Sequence, residues 1–164
     1  MSGTPRNDGG ISLYTFRAMT LLKKIALNFA IYIAIVAGLL FGLPKFLSWA
    51  LATPYPMAAI TSNSMWPVFT AGTLVFIQGV PKEELRAGDI IVWRNATGGG
   101  FTIHRIARLG ETTLTTKGDA NFTEDEPVPY ERVVGRAWGL FGRPFKIPYI
   151  GSVTVMAQKM NYGN

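Results

Sequence analysis

The sequence contains no cysteine and a single histidine, His104. Without cysteine there is no disulfide framework, no thiolate nucleophile and no Cys-based metal site. One histidine with no thiolate to join it argues against protein-bound zinc, and nothing calls for a cofactor. Acidic residues are scarce too: 10 Asp and Glu against 16 Lys and Arg leave a net charge of +6. An excess of that size can mean nucleic acid, so its distribution decides. Up to Lys45 five basic residues face Asp8 alone, whereas beyond it 11 basic residues face 9 acidic ones. The excess lies beside an apolar segment, not across a folded domain. That points to a membrane surface and away from nucleic acid. Internal repeats are absent, and 164 residues suffice for one domain with an appendage.

The long apolar run is present. Ile25 to Leu43 (IALNFAIYIAIVAGLLFGL) carries no charge and nearly spans a hydrocarbon core of about 30 Å as a helix. It is apolar on every side, unlike a helix on the surface of a soluble domain. Arg17, Lys23 and Lys24 precede it and Lys45 follows. The positive-inside rule then predicts a cytoplasmic N-terminus with the bulk of the chain outside. A cleavable signal peptide has the same order of charge and apolar run, but this run is too long for a typical signal core. The polar, Gly-rich Met1 to Gly10 reads as disordered, and Ile11 to Leu22 as a short helix on the membrane surface. Phe46 to Ile60 is uncharged, but Pro54 and Pro56 prevent a second full span. It is expected to lie at the membrane surface with Trp49 and Tyr55 near the headgroups. The expected organisation is a cytoplasmic segment at 1–24, an anchor at 25–43, a membrane-proximal segment at 44–61 and an extracytoplasmic domain at 62–164.

In that last part the signals are those of strands. Gly72 to Ile77, Ile90 to Arg94, Phe101 to Leu109, Glu111 to Lys117 and Arg132 to Leu140 read as strands, separated by polar or Gly-rich connections. Phe145 to Met156 is an apolar tail. The glycines at 98–100 do not form a phosphate-binding loop, because a strand and not a helix follows them. Short strands with Gly and Pro turns and no amphipathic helix predict a small all-β domain, a folded sheet or barrel.

Within this frame, Ser62-Asn63-Ser64-Met65-Trp66-Pro67 is a polar island between the apolar runs 56–60 and 68–69. A serine in such dry surroundings can act as a nucleophile if a base reaches it, although a Ser-rich turn is the commoner meaning. His104 lies on a strand and by two-residue alternation shares a face with Thr102 and Ile106. A lone strand histidine is most often structural. Asp119 follows Lys117-Gly118 in a turn, and Glu124-Asp125-Glu126 is an acidic cluster of a kind that is usually just solvated.

Taken in order, these pieces resemble type I signal peptidases of the archaeal and endoplasmic-reticulum kind. The resembling segments are Ser62-x-Ser64-Met65-x-Pro67, Gly88-Asp89-Ile90-Ile91-Val92, Ile103-His104-Arg105, Lys117-Gly118-Asp119-x-Asn121 with Asp125, Val134-Gly135-Arg136-Ala137 and Pro148-Tyr149-Ile150-Gly151. They run from about Pro56 to Met156, behind an anchor in the expected place. The resemblance implies a mainly β fold, with one N-terminal transmembrane helix ahead of a small catalytic β-domain.

It also implies roles: Ser64 as nucleophile, His104 as general base where the bacterial branch carries Lys, and Asp125 as the group that orients His104. Asp119 would support the loop or share that task. The oxyanion hole would be the Ser64 N–H and the Ser62 hydroxyl. Asp89 reads as structural. The implied activity is a membrane-bound serine endopeptidase that removes signal peptides. Its expected partners are preproteins with Ala-x-Ala-like sites, the lipid bilayer and the protein-export channel. The membrane would be the cell membrane, or the reticulum membrane in a eukaryote. Other expectations are a dedicated processing peptidase with few substrates and a silent tethered β-domain that binds exported chains. Many such proteins carry a second apolar span near the C-terminus, and no run of that kind follows Ile60. Action alone, in a complex or on specialised substrates are therefore separate expectations.

Overall fold

The computed structural model describes residues 9–96, 99–140 and 142–152, with side chains from residue 16 onward. Of the disorder expected at Met1 to Gly10, residues 1–8 lie outside the described residues, as does the apolar tail beyond Ser152, whereas Gly9 and Gly10 begin a helix.

The chain is helical from Gly9 to Ala50, as α1 (Gly9–Ala37), a widened π-type turn (Gly38–Gly42) and α2 (Leu43–Ala50). No proline or glycine interrupts residues 11–37, and Ala, Leu, Lys and Met favour a helix there. Ile11 to Leu22 is therefore one body with the apolar run, not a separate surface helix. Phe16–Ala50 covers 35 residues at a mean hydropathy of 2.3, and none of its most apolar window is buried. By length and composition it can cross a membrane. The helix ends where Ala52 turns to a φ of 50° and Pro54 follows, a stop typical of helix C-termini.

The described residues form two units that part after Lys45. The second is a curled antiparallel sheet, a half-barrel. Its strands are β1 (Met57–Ala59), β2 (Leu74–Gln78), β3 (Ile90–Arg94), β4 (Phe101–Leu109), β5 (Thr113–Lys117), β6 (Val128–Pro129) and β7 (Val133–Ala137). A small hairpin of β8 (Gly139–Leu140) and β9 (Arg143–Pro144) follows, and then β10 (Lys146–Ile147). The sheet order is β1-β2-β7-β3-β4-β5-β6, with β10 also paired to β2. The expected strand at 132–140 is split at Trp138, whose N–H turns to Phe76 O at 2.8 Å.

Segment 44–61 is divided, and does not lie apart from the β-domain. Its first part continues the helix. Its second part is sheet: β1 pairs with β2, Pro56 O accepts from Ile77 N–H at 2.9 Å, and Ile60 and Thr53 are buried. The prolines that forbid a second span leave an extended chain, and the edge of β2 offers it hydrogen bonds.

Strand β3 is buried on both faces and separates two apolar clusters. Ile90 belongs with Ile60, Met65, Phe69 and Val75. Ile91 belongs with Leu85, Ile106, Leu114 and Val128. Period-two alternation along one strand thus feeds both halves of the core.

Candidate active site

Ser64 sits in a tight turn at residues 62–68, held from both ends. Met65 and Phe69 are fully buried in the first cluster. Phe69 N–H donates to Met65 O at 2.9 Å, and Ala71 N–H donates to Asn63 Oδ1 at 2.9 Å. Apolar anchors placed after Ser64 press the turn onto the core and leave the serine half-buried at its edge. The Ser62 hydroxyl is 3.1 Å from the Ser64 hydroxyl.

His104 projects from β4 beside this turn. It is 7% exposed, its Nε2 is 3.1 Å from Ser64 Oγ, and its Nδ1 is 2.6 Å from Asp125 Oδ2. A neutral imidazole that donates from Nδ1 to the carboxylate has its free Nε2 lone pair facing the serine hydroxyl. Asp125 reaches this position because its own N–H donates to Thr116 O at 2.8 Å, which folds the acidic loop back along β5. The same Oδ2 accepts from Thr116 Oγ1 at 2.6 Å.

Asp119 lies elsewhere. Its carboxylate accepts two bonds from Arg105, from Nε at 2.8 Å and Nη2 at 2.7 Å. Arg105 Nη1 also donates to Gly88 O at 2.8 Å. The bond from Asp119 raises the Arg105 pKa against the opposing effect of burial. The loop that carries Asp119 touches the serine turn through its main chain: Ala120 N–H donates to Ser64 O at 2.9 Å. Asp89 accepts from Arg86 N–H at 3.0 Å and faces Arg136 at 3.4 Å, as a turn residue does.

The structure therefore brings Ser64, His104 and Asp125 into one line, with Ser62 beside Ser64 and Asp119 on Arg105. Neither Arg105 nor Thr116 drew attention as a site residue in the sequence. Arg105 carried a signal as the neighbour of His104 within one motif. Thr116 had only its inward position two residues after Leu114.

A groove of about 650 Å³ opens in front of the serine, bordered by Ala58, Ala59, Ile60, Ile103, His104 and Asn121 among others. One wall is β1, an edge strand that among the described residues pairs with β2 alone. The other is the first part of β4, since β5 pairs with β4 only from Arg105 onward. Among the described residues neither wall has a second strand partner on the groove side.

No protein-family model matches the chain. Among curated proteins it is similar to the signal peptidase complex catalytic subunit of Tuber melanosporum, at 33% identity over 159 residues, 83% of this chain and 78% of that one. The signal peptidase complex catalytic subunit of Sclerotinia sclerotiorum is 31% identical over 144 residues, 79% of this chain and 77% of that one. A Homo sapiens protein of the same description is 31% identical over 114 residues, covering 62% of this chain. The match spans 56% of the length of the human protein.

Proposed function

The chain belongs to the family of signal peptidase catalytic subunits, and from that membership we propose that it is a membrane-anchored serine endopeptidase that removes N-terminal signal peptides from exported preproteins. The observation that carries this reading is the line from Ser64 Oγ through the His104 ring to Asp125 Oδ2, at 3.1 and 2.6 Å.

In the reaction, Ser64 Oγ attacks the scissile carbonyl while His104 Nε2 takes its proton. Asp125 keeps the other ring proton on Nδ1 and offsets the charge of the imidazolium that forms. The oxyanion of the tetrahedral intermediate is met by the Ser64 N–H and the Ser62 hydroxyl, and His104 returns the proton to the leaving amine. Water, deprotonated by His104, then releases the signal peptide from Ser64.

Substrate binds as an added strand between β1 and the start of β4, the usual way to satisfy two free sheet edges. The apolar, shallow floor at Ala58, Ile60 and Ile103 favours small residues such as Ala before the cut. The apolar helix anchors the enzyme at the membrane where preproteins emerge from the export channel, with its N-terminus cytoplasmic by the charge of Lys23 and Lys24. The test is cleavage of a purified preprotein by the full chain in lipid, wild type against Ser64→Ala. Cleavage after a small residue, lost in the variant, is the expected result. No cleavage of several preproteins by folded wild type overturns the proposal in favour of a silent binding domain.

A further inference from the structure

We propose that Thr116 is a positioning residue for catalysis: its hydroxyl fixes which oxygen of Asp125 faces His104. The inference rests on the peptidase reading of Ser64, His104 and Asp125.

Thr116 lies on β5, where Leu114 and Thr116 point inward and Thr113, Thr115 and Lys117 are half-buried. Leu114 joins the second apolar cluster. The next inward position would ordinarily take another apolar side chain, because a hydroxyl there costs free energy unless it is bonded. Thr116 is fully buried, and its hydroxyl bonds to Asp125 Oδ2 at 2.6 Å. A polar atom has thus been placed in the core, and the carboxylate is its partner.

Two separate bonds join these residues. The backbone bond, Asp125 N–H to Thr116 O at 2.8 Å, brings the loop back to β5 and does not depend on the side chain at 116. The side-chain bond acts on the carboxylate alone. Oδ2 accepts from both Thr116 Oγ1 and His104 Nδ1, so the hydroxyl sets the carboxylate rotation that aims Oδ2 at the ring. Asp125 is partly open to solvent, with a side chain 21% exposed, so without this buried donor it has room to turn outward.

The experiment uses the full chain in lipid with a preprotein substrate, and reads kcat and KM for Thr116→Val, Thr116→Ser and Thr116→Ala, each also in an Asp125→Ala background. In the otherwise wild-type chain, Thr116→Val is expected to lower kcat about 10- to 100-fold, the worth of one hydrogen bond to a charged group. KM should stay within about twofold, because substrate binding does not pass through Asp125. Thr116→Ser should restore most of kcat. With Asp125→Ala already in place, Thr116→Val should cost nothing further, since the hydroxyl acts only through that carboxylate.

A full kcat for Thr116→Val overturns the proposal, as does an equal loss in both backgrounds. If Thr116→Val fails to fold, the same comparison is made with Thr116→Ala, and an unchanged kcat for that variant overturns it equally. Failure of the underlying reading gives a different result: Asp125→Ala alone would then leave kcat intact.

Discussion

Ser64 O accepts a hydrogen bond from Ala120 N–H at 2.9 Å. The serine turn is thereby tied by main chain to the 118–125 loop, which also carries Asp119 and Asp125. Movement of that loop shifts the proposed nucleophile and the carboxylate behind the base together.

Gly118 shows how close this contact is. A Cβ there would stand 2.7 Å from Ser64 O, a backbone atom that cannot swing aside. Gly118→Ala is expected to push the loop off the serine turn and lower kcat about 10²-fold or more, since small misplacements of reacting groups are costly. Preprotein cleavage, with a melting curve to confirm folding, checks this. Unchanged turnover would show that the Ala120–Ser64 bond does not set the site.

The two aspartates should separate by phenotype. Asp125→Asn removes the charge behind His104 and, on the proposed mechanism, is expected to reduce turnover by about 10⁴, as the same change does in a Ser-His-Asp triad. Asp119→Asn instead weakens the paired hydrogen bonds from Arg105, with the main expected effect on stability, roughly 1 kcal/mol for a partly exposed pair. Paired measurements of kcat and Tm distinguish them. A large kcat loss in Asp119→Asn at unchanged Tm would give that residue a direct part in the chemistry.

Ser62 is exposed and 3.1 Å from Ser64 Oγ. The proposed role as an oxyanion donor places its effect mostly in the transition state, so Ser62→Ala is expected to cost about 10²–10³ in kcat with little change in KM. A change confined to KM would make it a substrate contact instead.

The apolar helix carries a prediction about topology. With Arg17, Lys23 and Lys24 ahead of the span, a reporter fused to the C-terminus is expected outside the cytoplasm. Reporter activity on the cytoplasmic side would reverse the orientation and separate the site from emerging preproteins.

Much of the site is legible in the sequence because its chemistry is rare there. His104 is the sole histidine, and Ser64 lies between apolar anchors that the fold uses as such. The strand at 90–94 is plain because its apolar β-branched run starts after Gly88-Asp89, and the strand at 101–109 because it follows the glycines at 98–100 and ends at Gly110. Other parts are hidden for physical reasons. Asp119 and Asp125 share one acidic loop, and only the fold-back of Asp125 onto Thr116 separates their surroundings. Thr116 is silent because threonine is ordinary in strands, and its burial depends on tertiary packing. Strand β1 is hidden because Met57-Ala58-Ala59, uncharged and next to prolines, reads equally well as a membrane-surface segment. Its identity comes from the edge of β2, a non-local partner.

Replacing His104 by lysine is the most discriminating substitution, because the motifs resemble the archaeal and reticulum branch of a family whose bacterial branch carries lysine at the base position. A lysine base must hold its amine neutral, which takes an apolar shell and no facing carboxylate. Here the position is backed by Asp125, itself held by Thr116 Oγ1 at 2.6 Å. An ammonium placed there would pair with Asp125 and keep its proton, and its flexible stem would not reproduce the fixed 3.1 Å approach of Nε2 to Ser64 Oγ. His104→Lys is therefore expected to lose about 10⁴-fold or more in turnover, and raising the pH to about 9 should not recover it, because the ion pair holds the amine charged. Preprotein cleavage across that pH range, with Tm as the folding control, gives the answer. Substantial activity at any point in the range would overturn the argument that Asp125 holds an amine at position 104 in its charged form.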